Sequence, residues 1–401
     1  MRVDAWEESH LADVTRSKIV YGIVQAGNHV ADGIPYIKSS DVGRAIDPAS
    51  LSKTAPAIHR KYHRSTVGPG DIVFSLRGNT GSTSIVPADL MEANLTQGTA
   101  RIAVKSSFDN RFVRYVLASD IAMRQVLAVA KGSTFTEVSL DALRKISIPH
   151  PPLPEQRKIA DILSTWDRAI ETTEALLATA RLQKRALMQS LLTGNRRFPE
   201  FNGQPWQEMR LGDLGTFRKG KGLPKTTVGP VGRYPCVLYG ELYTTYGEVI
   251  SHPVSFTDQN DGFLGKAGDV LIPASTTTSG IDLAIASCVL SDGVRLGGDI
   301  NIFRCNSGEI DGAYLAYFLT HARRHEMARF AQGITIVHLK GSDLLNISVA
   351  VPSSEEQIEI VMVMTDAEDL IARLGTEIKS LRAEKKALMQ QLLTGKRRVV
   401  V

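Results

Sequence analysis

The sequence predicts an internally duplicated chain of the α/β (α+β) class: two mixed α/β globular parts, each followed by a long helix with a coiled-coil seam. Three observations lead there. A constant offset of 201 carries Gly132-Ser-Thr-Phe through Gly194 onto Gly333-Ile-Thr-Ile through Gly395 without a gap, Gln156 falling on Gln357. That offset is half of the 401-residue length, so one large unit is duplicated, not a short-period solenoid. Within it, Ala186-Leu-Met-Gln-Ser-Leu-Leu-Thr-Gly194 and Ala387-Leu-Met-Gln-Gln-Leu-Leu-Thr-Gly395 differ only at Ser190 and Gln391. Outside the repeat the halves share landmarks and little else: Trp6 with Leu11 and Asp13 matches Trp206 with Leu211 and Asp213, and Gly70-Asp-Ile-Val73 matches Gly268-Asp-Val-Leu271.

These landmarks divide the chain into a globular part over 1–150, a helical part over 151–199, a second globular part over 200–351 and a second helical part over 352–401. Each globular part has about 150 residues, an ordinary domain size. Each helix is bounded by its own signals. Pro149, Pro151, Pro152 and Pro154 suit the approach and first turn, and Glu155 places negative charge at the N-terminus. Thr193-Gly194 and Thr394-Gly395 supply glycine stops, with Arg196-Arg197 and Arg397-Arg398 beyond them near the negative end of the dipole. A helix of about 40 residues spans roughly 60 Å, so two of them can pair as struts between two globular parts.

The seam follows spacings of four and three. In the first copy it runs through Ile159, Leu163, Trp166, Ile170, Thr173, Leu177, Ala180, Lys184, Leu187 and Leu191, a sustained heptad period. In the second it runs through Ile360, Met364, Ala367, Ile371, Leu374, Ile378, Leu381, Lys385, Leu388 and Leu392. Lysine occupies the same seam position twice. Lys184 and Lys385 either fix the pairing of the helices or carry their charge past the seam into solvent.

Composition narrows the function. Forty-three per cent hydrophobic and 22% charged residues suit a soluble globular protein with two cores. Neither a secretory leader nor a membrane-spanning run is expected. Cys236, Cys288 and Cys305 are isolated, which suits a reducing cytoplasm and offers no metal-like spacing. A net charge of +5 is compatible with nucleic acid, but residues 1–150 carry +4 and residues 201–351 carry −1, so contacts with DNA must come from local clusters.

The first such cluster is His59-Arg-Lys-Tyr-His-Arg64, offering Arg60, Lys61, Tyr62, His63 and Arg64. A second, Arg77-Gly-Asn-Thr80, follows the Gly70 strand with Arg77, Asn79 and Thr80. The other half offers Arg218, Lys219, Lys221 and Lys225 among glycines, then Thr276, Thr277 and Thr278 after the matching strand. Lys61, Arg64, Lys219 and Lys221 suit phosphates; Tyr62, Arg77, Asn79 and the three threonines suit base edges or stacking. Each cluster alone is more often a solvated face, and the placement of two of them after equivalent strands brings the two readings level. No catalytic constellation and no metal-ligand spacing is found. Gly215-Thr-Phe-Arg-Lys-Gly-Lys221 approximates a phosphate-binding loop but has Gly222 where Ser or Thr should hold magnesium. The pattern is that of a binding protein, with an architectural adaptor that does not read DNA as the alternative.

Ile146-Ser-Ile-Pro-His-Pro-Pro-Leu-Pro-Glu-Gln-Arg-Lys-Ile159 and the Leu-Leu-Thr-Gly-x-Arg-Arg ending, both repeated, resemble the specificity subunits of type I restriction-modification systems. The second copy, Pro352-Ser-Ser-Glu-Glu-Gln357, lacks the central Leu-Pro, which puts its helix entry in doubt. The resemblance covers essentially the whole chain. It implies two target-recognition domains, each reading one half of a split, asymmetric double-stranded DNA target, separated by two helices that pair as an antiparallel coiled coil. Half-sites one helical turn apart, ~34 Å, would present both major grooves to one side. It implies as partners two methyltransferase subunits and restriction (motor) subunits, with S-adenosylmethionine, ATP and magnesium held by those partners and no cofactor here. A cytoplasmic location is expected, and docking is expected through the outward helix faces and Arg196, Arg197, Arg397 and Arg398, with simple compensation of the helix C-terminal dipoles as the equal alternative for those arginines.

Overall fold

The computed structural model describes residues 6–129, 137–306 and 308–400; the start of the repeat at Gly132 lies outside them. By contact, the chain divides into two compact units. One comprises 1–173 with 377–401, the other 174–376. Each unit therefore holds one globular part and a segment of each long helix.

The globular parts, so different in sequence, have the same topology. In the first, Val20–Tyr21 (β1), Ile72–Ser75 (β2), Thr83–Ile85 (β3) and Thr99–Ile102 (β4) form an antiparallel sheet in the order β1-β4-β2-β3. The long helix Leu153–Leu191 (α1) follows. In the second, Gly215–Lys219 (β5), Val270–Pro273 (β6), Ser287–Val289 (β7) and Ile300–Cys305 (β8) take the order β5-β8-β6-β7, with Val249–Ile250 added beyond β7. The helix Ser354–Leu392 (α2) closes the chain. Each part has a second small sheet, centred on Ile34–Ile37 in one and on Tyr234–Val237 in the other. β2 is buried at all four positions, as is β6, which explains why the Gly-Asp-Ile-Val landmark is a continuous apolar run. Asp71 and Asp269, just ahead of these strands, are buried carboxylates, the first held by Arg16 and Arg101, the second by Arg304.

The ends of each part pair with each other. Glu7–His10 runs antiparallel to Ser147–His150, and Gln207–Arg210 to Ser348–Val351, so the chain leaves each part beside its point of entry and turns into its long helix. The doubtful second entry is intact, because α2 begins at Ser354, the residue equivalent to Leu153. Both glutamines explain why. Gln156 accepts from the Asp109 N–H (3.0 Å) and donates to the Pro151 carbonyl (2.9 Å). Gln357 accepts from the Asp311 N–H (2.7 Å) and donates to the Pro352 carbonyl (3.0 Å). Asp109 and Asp311 in turn cap the helices Asn110–Leu117 and Gly312–Tyr317.

Every seam position named above is buried or half-buried. In the first unit the end of α2 packs Leu388, Leu392 and Leu393 with Ile159 and Leu163. In the second, Leu187 and Leu191 pack with Ile360 and Met364. Within each unit the pairing is antiparallel. Glu155 and Asp167 meet Arg398 and Lys385 in that order, and Lys184 and Arg197 meet Glu368 and Glu356.

Two of the four arginines expected to dock partners are spent inside these pairings. Arg197 forks onto Glu356 with two contacts of 2.6 Å, and Trp206 donates to the same carboxylate at 2.9 Å. Arg398 forks onto Glu155 at 2.8 and 2.7 Å. Both carboxylates are buried, so each arginine after a glycine stop neutralises the glutamate that opens the opposite helix. Arg196 and Arg397 remain exposed. The glycines are required here: Gly194 and Gly395 have φ of 71° and 69°, with Trp206 and Trp6 lying against them.

The seam lysines do not pass into solvent. Lys385 reaches Asp167 of α1, which also accepts from Tyr115 and Arg114 of the globular part. Lys184 reaches Glu368 of α2 at 2.8 Å, which accepts from Tyr317 at 2.9 Å. The copies differ in balance. Burial pushes the Asp167 carboxyl up, but Lys385, Tyr115 and Arg114 outweigh it and hold it below the usual carboxylate range. Burial, aided by the nearby Glu248 charge, instead leaves Glu368 above its usual value despite Lys184. Arg398 holds Glu155 below the usual range against the opposing effect of burial.

Glu356→Ala should destabilise the second unit by about 3 kcal/mol in urea denaturation, because it leaves Arg197 and the Trp206 N–H without their acceptor. Arg197→Met with Glu356→Leu should recover most of that loss. A second expectation concerns acid. Glu155 and Asp167 have folded pKa values below their unfolded ones, ~4.3 and ~3.9, so their stabilisation is complete above those values and lost as pH falls through the lowered ones. Glu368 is raised, so its protonation on acidification favours the folded state. Thermal melts at neutral pH should therefore show Asp167→Asn costing about 2 kcal/mol and Glu368→Gln less, since Lys184 keeps Glu248 at 3.8 Å. Asp167→Asn should also flatten the acid limb.

Candidate nucleic-acid interface

The first cluster sits where a short helix unwinds. Pro56–Lys61 ends with exposed Arg60 and Lys61, Tyr62 closes it half-buried, and a 3-10 turn, His63–Ser65, presents exposed His63 and Arg64. The Lys61 amine lies 5.9 Å from the centre of the Tyr62 ring. The turn is anchored from inside: buried Asn94 donates to the Tyr62 carbonyl at 3.2 Å, and Ser65 donates to Asn94 at 2.6 Å. The polar face is thus rigidly held and outward.

Arg77, Asn79 and Thr80 follow β2 in a loop that turns at Gly78 and Gly81, with φ of 76° and 87°. Arg77 is half-buried and packs along Gly98, with Gln97 able to accept from its guanidinium at 3.1 Å. Asn79 is exposed and donates to the Val42 carbonyl. Gln97 also lines a hollow of about 440 Å³ with Tyr21, Leu76, Leu140 and Arg144.

The threonine loop follows β6, as the Arg77 loop follows β2, so the two occupy equivalent places. Their chemistry differs. Thr278 donates to Asp282 at 2.6 Å and lies 2.9 Å from the Thr276 hydroxyl, while Ser279 and Asp282 form the capping box of a short helix, Gly280–Leu283. Thr276 and Thr278 are therefore engaged in holding the loop, whereas exposed Thr277 has its hydroxyl in no hydrogen bond among the described residues. The hydroxyls of Thr278 and Ser279 and the Ser279 N–H donate to Asp282 and hold its carboxyl below the usual range.

Arg218 and Lys219 are exposed on β5, Lys221 is exposed just beyond it, and Lys225 opens a 3-10 turn. β5 pairs residue by residue with β8, so Gly215–Lys221 is an edge strand and its continuation rather than a phosphate cradle before a helix. Gly220 is needed because a Cβ there would stand 1.9 Å from the Gly297 carbonyl oxygen. Lys225 lines a hollow of about 640 Å³ with Tyr239, Glu241 and Asp299. Two non-glycine residues on its wall, Leu223 and Asp299, have φ of 57° and 58°, a conformation that costs a leucine about 1 kcal/mol. Tyr239 and Asp299 were not singled out in the sequence, where neither belongs to a motif.

Among the described residues no group of His, Cys, Asp and Glu could hold a metal ion, and no helix is long and apolar enough to cross a membrane. The cysteines are free, and burial pushes the Cys236 thiol up to about 11 and Cys305 up to about 12.

A family model described as type I restriction modification DNA specificity domain matches the chain twice, over residues 4–181 and 203–382. The chain belongs to this family. Each match takes in one globular part and most of the helix after it, so the specificity domain is the duplicated unit itself. The type I restriction enzyme MjaVIII specificity subunit of Methanocaldococcus jannaschii is 25% identical over 284 residues, covering 67% of this chain and 66% of its own length. The EcoBI specificity subunit of Escherichia coli is 26% identical over 191 residues, 47% of this chain and 40% of that one. The chain spans 62% and 66% of the lengths of two M. jannaschii relatives it matches. Among solved structures, the type I restriction-modification S subunit from M. genitalium has a TM-score of 0.62 at 15% identity, covering 98% of this chain and 97% of that one. The HsdS subunit of Thermoanaerobacter tengcongensis has a TM-score of 0.50 at 19% identity, covering 98% of each. Both subunits share the fold of this chain.

Proposed function

We propose that this chain is the DNA sequence-specificity subunit of a type I restriction-modification complex. Its two globular parts each bind one half of a split, asymmetric duplex target, and the chain recruits two methyltransferase subunits and the restriction subunits. The observation that carries this reading is the contrast between copies. β2 and β6 hold the same place in two sheets of matching strand order, yet the loops after them offer Arg77 and Asn79 in one and a braced threonine loop in the other. Meanwhile the Glu155–Arg398 and Glu356–Arg197 pairings are the same. Different reading surfaces on one repeated frame suit two unlike half-sites.

Catalysis belongs to the partners in this reading, since subunits of this family are generally non-catalytic. S-adenosylmethionine, ATP and magnesium are likewise assigned to them, and the cytoplasm is the compartment where such a complex meets its DNA. Phosphates fall to Lys61, Arg64, Lys219 and Lys221, and base edges to Tyr62, Arg77, Asn79, Thr80 and Thr277. Exposed Arg196 and Arg397 are left for docking.

The test is co-expression with the neighbouring methyltransferase gene and single-molecule sequencing of host DNA for methylated adenine. A split motif methylated in both halves, lost when this chain is deleted, is the expected outcome. Unmethylated DNA despite an active, bound methyltransferase overturns the reading and favours an adaptor. In the same assay Arg77→Ala should relax one half of the motif by about 1–3 kcal/mol at one base pair and leave the other half unchanged.

A further inference from the structure

One cationic hollow lies outside every cluster that the sequence offered, apart from Arg64. It encloses about 480 Å³, and Lys18, Arg64, Arg101, Arg144, Ser17 and Tyr21 line it; no carboxylate does. Two of its charges are fixed in place. Arg101 donates to buried Asp71 at 2.9 Å, and Arg144 donates to Asp141 and to the Ile19 carbonyl, each at 2.6 Å. Lys18 and Arg64 are exposed and make no ion pair among the described residues, so the hollow carries about two uncompensated positive charges. Tyr21, 40% exposed, stands on its rim.

The hollow is built by a local departure from the duplicated plan. In the second copy the edge strand is unbroken, Gly215 pairing with Cys305 and Arg218 with Ile302, three steps on each side. In the first, Thr15 bridges Val104 and Val20 pairs with Arg101, five steps against three. The two additional residues form a bulge in the Arg16–Ile19 stretch that carries Ser17 and Lys18, and bulges of this kind re-aim side chains at sheet edges. Ile302 stands where Arg101 stands, and Leu345 where Arg144 stands. The second copy therefore has no such charge cluster at these positions.

Resting on the DNA-binding reading, we propose that this hollow is a phosphodiester-binding site of the first domain alone, with Lys18 and Arg64 neutralising backbone phosphate beside the pre-positioned forks of Arg101 and Arg144. Guanidinium planes held by carboxylates present their free N–H groups without further ordering, and an ammonium adds a point charge. Such contacts position DNA without reading its sequence. The site supplies register to the half whose reading loop is Arg77-Gly-Asn-Thr80, and it accounts for part of the difference in charge between the two globular parts.

The experiment is fluorescence anisotropy of the full chain on a labelled random-sequence duplex and on a duplex bearing its methylation motif, from ~50 to ~200 mM salt. The Lys18→Ala/Arg64→Ala variant should reduce the slope of log affinity against log salt by about 1.8, two contacts at ~0.9 each. Its loss at fixed salt should be the same fold on both duplexes, and Lys18→Arg/Arg64→Lys should keep the wild-type slope. Both side chains are exposed, so an unchanged melting temperature confirms an intact fold. An unchanged slope, or a loss confined to the motif duplex, overturns the phosphate site while wild-type binding leaves the DNA reading standing. A wild-type chain that binds neither duplex overturns both.

Discussion

Burying a carboxylate at the start of a helix is costly unless a cation is delivered to it, and this chain meets that demand twice by the same device. The arginine arrives from beyond the glycine stop at the end of the other long helix. Glu155 receives Arg398 and Glu356 receives Arg197, each through a forked contact. A forked guanidinium–carboxylate pair tolerates little sliding, so it sets where each helix end lies on its neighbour. The glycine's left-handed turn, the tryptophan against it and the glutamine beside the glutamate follow from that placement. Removing the pair's partner matters more than the pair's net worth, because the residue left behind is charged and buried.

One to two heptads inward, the seam lysines repeat the logic with less symmetry. Both amines meet a carboxylate on the opposite helix that also accepts from a tyrosine of the globular part, so helix pairing and domain docking share one group. In the first unit burial and the Asp167 carboxylate push the Tyr115 hydroxyl up to about 12, which keeps it a donor. In the second, Glu248 and His321 join the cluster, and Lys184 faces two carboxylates instead of one. Duplication preserved the position of the charge but not its electrostatic balance.

What could be read in the sequence is what depends on spacing. The period of the seam was legible because a heptad is a distance along one helix, although buried Ala160, Met188, Leu192 and Leu393 lie beside the named positions, and the equivalence of the Arg77 and threonine loops was legible because both follow Gly-Asp-apolar strands. What depends on a partner far along the chain was not. Arg197 and Arg398 looked like docking residues because adjacent arginines after a helix show only their neighbours, and the carboxylates they serve stand 159 and 243 residues away. The threonines looked like free hydroxyls for the same reason, since the capping role emerges only when Asp282 turns back on Thr278. Lys18, Arg101 and Arg144 form no cluster at all until the sheet brings them together.

The shared sheet order under unrelated sequences shows where the duplicated unit tolerates change. The core requires apolar strands of fixed order and a carboxylate ahead of the central one, and both copies keep these. The helix ends require a glutamate, a glutamine, a glycine and one arginine, and both keep these too. The polar residues of the loops after the strands and of the edge strand, and the count of residues within that strand, carry no such obligation, because they lie outside the cores that Ile19, Leu76 and Phe217 join. Two added residues before Val20 leave β4 and β2 paired in register, yet they move a lysine into a hollow with three arginines. A frame held by a few buried charges can thus alter one surface without disturbing the other, which is the property that independent recognition by two halves of one chain demands.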